Sequence, residues 1–302
     1  MPRIPLRDGQ TLHVRVLGRG QPVLLLHGLG MSGAHWLPFI LPHLRRHRFI
    51  LPDLRGAGAS ARVPFKSGDI FQAHAEDVQD VIAHLGLDDL LLGGISLGAT
   101  TSLHLLSLDG FGPVRRYLHI DQSPCVGNRP DWPYGLFGRR QDEMFASLRE
   151  VLAAVEAHPQ CLTFAELPAP VRVAAGERMA EVLAQMAGGA GLRSLLRLVF
   201  RLPSALLGRV PLPLGDLEHL RRYLPAYLAG GHDYRPALAT CPVPVTVMLG
   251  AHSPLYAEAG QRMVAAHHPD SRVVRFERSG HVPLKDEPWR FAREFARFLK
   301  GD

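Results

Sequence analysis

A serine flanked by glycines stands at position 96, in Gly94-Ile95-Ser96-Leu97-Gly98. The run before it, Leu90-Leu91-Leu92-Gly93-Gly94, reads as a short buried strand, and the stretch from about Ala99 to Leu108 reads as a helix. A G-x-S-x-G pattern between a strand and a helix is a sharp turn that forces the serine into a strained backbone conformation and exposes its hydroxyl. Side chains larger than hydrogen at 94 and 98 would crowd that turn. The hydroxyl then sits at a helix N-terminus, where developing negative charge is stabilised, and the Leu97 N–H points at that charge. A serine hydroxyl is a weak nucleophile until an imidazole takes its proton, and the imidazole in turn needs a carboxylate to hold its tautomer. The chain has 16 histidines. His281, in Ser279-Gly280-His281-Val282, follows the last expected strand and precedes the last expected helix.

The elements that must position these groups follow from hydrophobic patterning. Residues 11–17 alternate apolar and polar, as a half-exposed strand does. Val23-Leu24-Leu25-Leu26, Phe49-Ile50-Leu51 and Tyr117-Leu118-His119-Ile120 are short apolar runs that suit parallel strands covered on both faces. Residues 34–46 suggest a helix interrupted near Pro38 and Pro42, and Val78, Val81, Ile82 and Leu85 give residues 71–85 a helical period. Strands and helices thus alternate from 23 to 121, which predicts a parallel sheet with crossover helices. In such sheets functional groups lie beyond the carboxyl ends of strands. His27, Asp53, Ser96 and Asp121 all directly follow expected strands. Residues 122–238 are helical in pattern and rich in Leu, Arg, Ala, Pro and Gly. The strand pattern returns at Pro242–Gly250 and Arg272–Phe276, and a helix with Phe291, Phe295 and Phe298 on one face closes the chain.

The motifs His27-Gly28-Leu29-Gly30, Asp53-Leu54-Arg55-Gly56-Ala57-Gly58-Ala59-Ser60, Gly94-Ile95-Ser96-Leu97-Gly98 and Ser279-Gly280-His281 occur in this order over nearly the whole chain. In this the sequence resembles the α/β-hydrolase fold superfamily, serine hydrolase or esterase type. The resemblance implies an α/β fold: a mostly parallel eight-stranded sheet flanked by helices, with a helical cap inserted after the sixth strand. Residues 1–121 and 239–302 would form the core and 122–238 the cap. It also implies His281 as general base and a second oxyanion N–H from the His-Gly loop, assigned to Leu29 beside that of Leu97. Asp53 and Arg55 would organise their own loop. The family's usual acid follows the seventh strand in a Gly-x-x-Asp setting, but here Gly250-Ala251-His252-Ser253 puts a serine there. Asp121, one helix and one strand after Ser96, is the expected acid instead. This resembles haloalkane dehalogenases and some lipases, which carry it after the sixth strand. Glu258 and Asp233 are its rivals.

The expected chemistry is acyl transfer to water: Ser96 attacks a carbonyl, His281 carries the proton, and the acyl-enzyme hydrolyses. A serine nucleophile argues against dehalogenase and epoxide hydrolase chemistry. Leu-rich cap segments such as Leu195-Leu196-Arg197-Leu198 suggest a small hydrophobic ester or thioester substrate, with His252, Trp132 and Phe137 as candidate substrate-binding residues. Two other readings use the same scaffold: a cofactor-free perhydrolase or haloperoxidase-like enzyme, and a non-catalytic small-molecule-binding protein. No metal site and no cofactor motif is visible, and none is expected.

The 302 residues carry 34 Lys+Arg against 28 Asp+Glu, a formal charge of +6. The basic residues are scattered rather than gathered on a face with interleaved aromatics, so nucleic acid is not an expected partner. The start lacks a signal-peptide core and no apolar run is long enough to cross a bilayer, so a cytoplasmic protein without stable membrane insertion is expected. Cys125, Cys161 and Cys241 form no C-x-x-C pair and read as reduced thiols. A homodimer is compatible with the sequence but not specified by it.

Overall fold

A computed structural model describes residues 3–65, 68–187, 190–210 and 216–302. Eight strands form one sheet: β1 (Arg3–Pro5), β2 (Thr11–Gly18), β3 (Gln21–Leu26), β4 (His47–Pro52), β5 (Leu90–Ile95), β6 (Val114–Ile120), β7 (Val245–Gly250) and β8 (Arg272–Phe276). Their order is β1-β2-β4-β3-β5-β6-β7-β8. Only β1–β2 and β2–β4 pair antiparallel; every pairing from β4 to β8 is parallel. The apolar runs of β3 and β5, and β7 with its one polar residue Thr246, are buried, as strands covered on both faces must be. Alternate residues Val23, Leu25, Phe49, Leu51, Leu91, Ile95 and Leu118 join a cluster with Trp36, Ile40 and helix Pro288–Lys300. Phe291, Phe295 and Phe298 of that helix are buried. Phe291 and Phe295 stack at 5.9 Å between centroids, and Trp36 meets Phe295 at 6.3 Å. Helices Ile70–Leu85 and Leu97–Asp109 pack on each other, the latter also against β3 and β5.

Two expectations are adjusted here. The region 34–46 is not one helix but a 3-10 turn at Gly33–Trp36, a single α-turn at Leu37–Ile40 and a second 3-10 turn at Leu41–His43. Pro38 and Pro42 each start a turn, where their missing N–H costs nothing, and so prevent a continuous ladder. The strand Arg3–Pro5 was not expected: three residues ending in proline carry no period, and only pairing with Thr11–His13 makes them a strand.

The chain divides into two compact units, one of residues 1–124 with 233–302 and one of residues 125–232. The second unit is built on helices Gln141–Glu156, Ala169–Ala187, Ala190–Phe200 and Leu217–Ala229. Buried Arg172 ties its segments together, donating to the carbonyls of Leu167, Phe200 and Leu202 and to Ser204 Oγ. Gly176 has no side chain because a Cβ there would lie 2.4 Å from Phe200. The three cysteines are buried, and none is in a disulfide among the described residues. Among the described residues no helix is long and apolar enough to cross a membrane.

The first unit also buries four histidines, three of them completely: His27, His74 and His119. His119 sits between the Tyr117 hydroxyl, 2.9 Å from Nδ1, and the Gln122 carbonyl, 2.8 Å from Nε2. Burial pushes His119 and His27 down to about 4, and His74 to about 3. All three stay neutral in the fold at pH values where the unfolded chain, titrating near 6.5, already binds protons. Stability is therefore complete above that value and is lost as pH falls toward 4, by on the order of 3 kcal/mol for a shift of this size. We expect the urea midpoint to fall steeply between pH 6.5 and 4. His119→Gln should be less stable at pH 8 yet show a shallower acid slope, and an unchanged slope would remove His119 from this account.

Candidate active site

The Gly-x-Ser-x-Gly segment forms the turn between β5 and helix Leu97–Asp109. Ser96 has φ 52° and ψ −117°, a sparsely populated conformation for a residue with a side chain, costing roughly 1–3 kcal/mol. The surroundings hold it there. The Ser96 N–H donates to the Ile120 carbonyl at 3.0 Å, and the Thr100 N–H donates to the Ser96 carbonyl at 2.9 Å. A Cβ at Gly94 would lie 2.4 Å from the Gly98 carbonyl oxygen, and one at Gly98 2.4 Å from that of Leu26. The two glycines let the helix start press against β3 and the loop beyond it.

That loop is His27-Gly28-Leu29-Gly30. His27 is fully buried; its Nε2 accepts from the Leu54 N–H at 2.9 Å, so the proton is on Nδ1, which donates to the Gly28 carbonyl at 2.8 Å. The neutral form that burial enforces is the one this pair of bonds requires. A Cβ on Gly28 would sit 3.4 Å from Ser96 Cβ, so the loop backbone runs alongside the serine. Leu29 follows, half-buried. Asp53 fastens the loop from below. It accepts from the backbone of Gly33 and Ala59, each at 2.8 Å, and from Arg15 at 2.6 Å. Burial raises its carboxyl, but these three donors outweigh burial and hold it below the usual range. Arg55 is engaged separately, in a two-bond pair with Asp77 and a third bond to Asp8. Burial still pushes Asp77 up to about 6 against the opposing pull of Arg55.

Asp121 directly follows β6 with φ 44°, and its N–H donates to the Met248 carbonyl of β7. Its side chain is fully buried. Oδ1 lies 2.8 Å from His281 Nδ1 and accepts the Ser253 hydroxyl at 2.6 Å, while Oδ2 accepts the Gly250 N–H at 2.8 Å. His281 is brought there by a close crossing: the Gly250 position would place a Cβ against the Gly280 carbonyl oxygen, and the His252 N–H donates to the Ser279 carbonyl at 2.9 Å. Asp286 braces the same loop, accepting from the Gly280 N–H at 2.9 Å and the Ser279 hydroxyl at 3.2 Å. The buried Tyr256 ring lies 5.9 Å from that of His281. With the Nδ1 proton directed at Asp121, Nε2 keeps its lone pair, the state a general base needs.

The structure thus brings Asp121 and His281 into contact and sets Gly28 beside Ser96. The rival carboxylates are engaged elsewhere: Glu258 pairs with Arg275 at 2.8 Å and Arg262 at 2.7 Å, and Asp233 with Arg235 at 2.7 Å. The His252 side chain is exposed, and Trp132 and Phe137 are buried within the second unit. Two contributors were not foreseen. Ser253 was seen only as a missing acid, although its spacing from Gly250 already marked it as facing the same point. Asp286 carried no signal beyond its place ahead of a proline. Among the described residues no group of three or more His, Cys, Asp or Glu side chains could hold a metal ion.

Residues 21–288 match the family model described as alpha/beta hydrolase fold. The chain is 26% identical over 286 residues to the pimeloyl-[acyl-carrier protein] methyl ester esterase of Nitrosomonas europaea, covering 94% of this chain and 98% of that one. It is 32% identical over 125 residues to a non-heme haloperoxidase of Rhodococcus erythropolis, covering 41% of this chain and 45% of that one. Matches to further curated relatives likewise span about half of those proteins. Among solved structures it is similar in fold to the esterase EaEST of Exiguobacterium antarcticum, with a TM-score of 0.70 at 22% identity, covering 99% of this chain and 98% of that one. The sheet order, the glycine-bounded turn at Ser96 and the match over residues 21–288 lead to one conclusion: this chain belongs to the alpha/beta hydrolase fold family.

Proposed function

We propose that the protein is a serine hydrolase that cleaves a carboxylic ester or thioester with a hydrophobic acyl group. The observation that carries this reading is the 2.8 Å bond between His281 Nδ1 and the buried Asp121, formed in the same unit as the strained turn at Ser96. In this reading Ser96 Oγ attacks the carbonyl carbon while His281 takes its proton. Asp121 keeps the imidazole in the required tautomer and stabilises its cation, and the N–H groups of Leu29 and Leu97 hold the oxyanion. The proton then passes from His281 to the leaving alcohol or thiol, and water attacks the acyl-serine by the same route reversed. The near full-length similarity to a methyl ester esterase supports the ester class. The inserted unit, residues 125–232, is the proposed cap, and Trp132, Phe137 and His252 are the proposed substrate contacts.

A fluorophosphonate probe should label the wild-type protein and not Ser96→Ala. On p-nitrophenyl esters Asp121→Asn should lower kcat/KM by about 10³–10⁴-fold, while Glu258→Gln remains close to wild type. Equal activity of Asp121→Asn and wild type would reject the acid after β6. No labelling of wild type at all would favour a binding role for the scaffold.

A second reading, perhydrolysis with peroxide as acyl acceptor, draws on the partial similarity to a non-heme haloperoxidase. With acetate, bromide and peroxide we expect bromination of monochlorodimedone to be slower than ester hydrolysis under matched conditions. The reverse ratio would put the second reading first.

A further inference from the structure

We propose that Ser253 is a positioning residue for the reaction: its hydroxyl fixes the carboxylate oxygen of Asp121 on which His281 is held. The proposal rests on the reading of Ser96, His281 and Asp121 as the reacting set and adds a member to it.

The direction of each bond follows from the donors present. Asp121 Oδ1 receives the Ser253 hydroxyl at 2.6 Å and faces His281 Nδ1 at 2.8 Å. An ionised carboxylate only accepts, so Ser253 must donate its single hydroxyl proton to it. The Ser253 oxygen in turn accepts from the Tyr256 N–H at 3.4 Å, which orients the hydroxyl toward Asp121. The Ser253 N–H donates to the Gly250 carbonyl at 3.2 Å, and the Gly250 N–H donates to Asp121 Oδ2 at 2.8 Å. One tight turn, Gly250 to Ser253, therefore grips both carboxylate oxygens.

Each carboxylate oxygen offers about two acceptor sites. On Oδ1 both are used, one by His281 and one by Ser253. Without Ser253 the buried carboxylate keeps a single backbone donor on its other oxygen and can rotate about its Cβ–Cγ bond, carrying Oδ1 away from the imidazole. The loss would be felt when His281 becomes cationic, because that is when a misdirected carboxylate stabilises it least. Charge-assisted bonds of this length are among the stronger ones in proteins, so the effect should be measurable.

The test compares wild type, Ser253→Ala, Ser253→Thr, Asp121→Asn and the Ser253→Ala/Asp121→Asn pair, using p-nitrophenyl butyrate turnover, fluorophosphonate labelling rate and thermal midpoint. Ser253→Ala should lower kcat and the labelling rate by about tenfold, a loss typical of a single charge-assisted bond, with KM nearly unchanged. Ser253→Thr, which keeps a hydroxyl, should restore most of it. In the Asp121→Asn background the alanine change should have no further effect, a non-additivity that a merely structural serine would not produce. Should Ser253→Ala fail to fold, Ser253→Cys, similar in shape but a weaker donor, carries the same expectation in reduced size. Wild-type kcat in Ser253→Ala, or the same tenfold loss in both backgrounds, overturns the proposal. If wild type labels and Asp121→Asn is inactive while Ser253→Ala is normal, only the role of Ser253 falls. If wild type does not label, the triad reading falls and takes this proposal with it.

Discussion

A carboxylate removed from water must find donors for its oxygens, and the group on Asp121 finds three of them on two stretches of chain. His281 comes from the loop after β8, Gly250 from the end of β7 and Ser253 from the turn beyond it. Desolvating an anion without partners would cost several kcal/mol, so these bonds constrain where the ends of β6, β7 and β8 can lie. The constraint is mutual. Parallel pairing of Asp121's neighbours with Val247 and Met248 sets the height of the carboxylate, and the carboxylate then fixes the turn that follows β7.

Close backbone approach is the other half of the arrangement. Gly94, Gly98 and Gly250 each occupy a place where a Cβ would collide with a carbonyl oxygen of another segment. The first two allow the helix after Ser96 to begin against β3. The third allows the loop carrying His281 to cross the end of β7. Ser96 and Asp121, each just beyond the end of a strand, are both in positive-φ conformations, so part of the unit's backbone strain is held where these side chains are aimed. Two polar groups fix the loop beside Ser96: His27 is clamped between Leu54 and Gly28, and Asp53 joins three donors. Neither of these contacts the triad candidates through its own side chain, and both set the path of the loop beside Ser96.

Much of this was legible in the sequence, for physical reasons. Buried parallel strands need mostly apolar runs, and β3, β4 and β5 carry unbroken ones, while Thr246 is the one polar side chain in β7. The turn at Ser96 needs glycine two residues before and after, and both glycines are present. What local pattern could not decide was anything set by partners far along the chain. Its place after the sixth strand favours Asp121 as the acid, but Asp233 and Glu258 stay as rivals until tertiary contacts give those two to arginines. The strand Arg3–Pro5 exists only through pairing with β2. His252 and Ser253 are adjacent in a loop, yet one side chain is exposed and the other is directed at a buried carboxylate, a difference that depends on the turn made at Gly250.

The proposal of Asp121 as the acid, in place of position 253, rests on the same geometry. Residue 253, one turn beyond β7, and residue 121, directly after β6, point at a common spot: the Ser253 oxygen lies 2.6 Å from the carboxylate oxygen that meets His281. A carboxylate supplied from either strand would reach the same side of the imidazole. Two carboxylates there would repel and force one to stay protonated, so only one position can hold the acid as an anion. With Asp at 121, a short side chain that donates a hydrogen bond is what position 253 can accommodate without disturbing that charge. Serine meets both requirements; alanine would leave one acceptor site on Oδ1 without its donor.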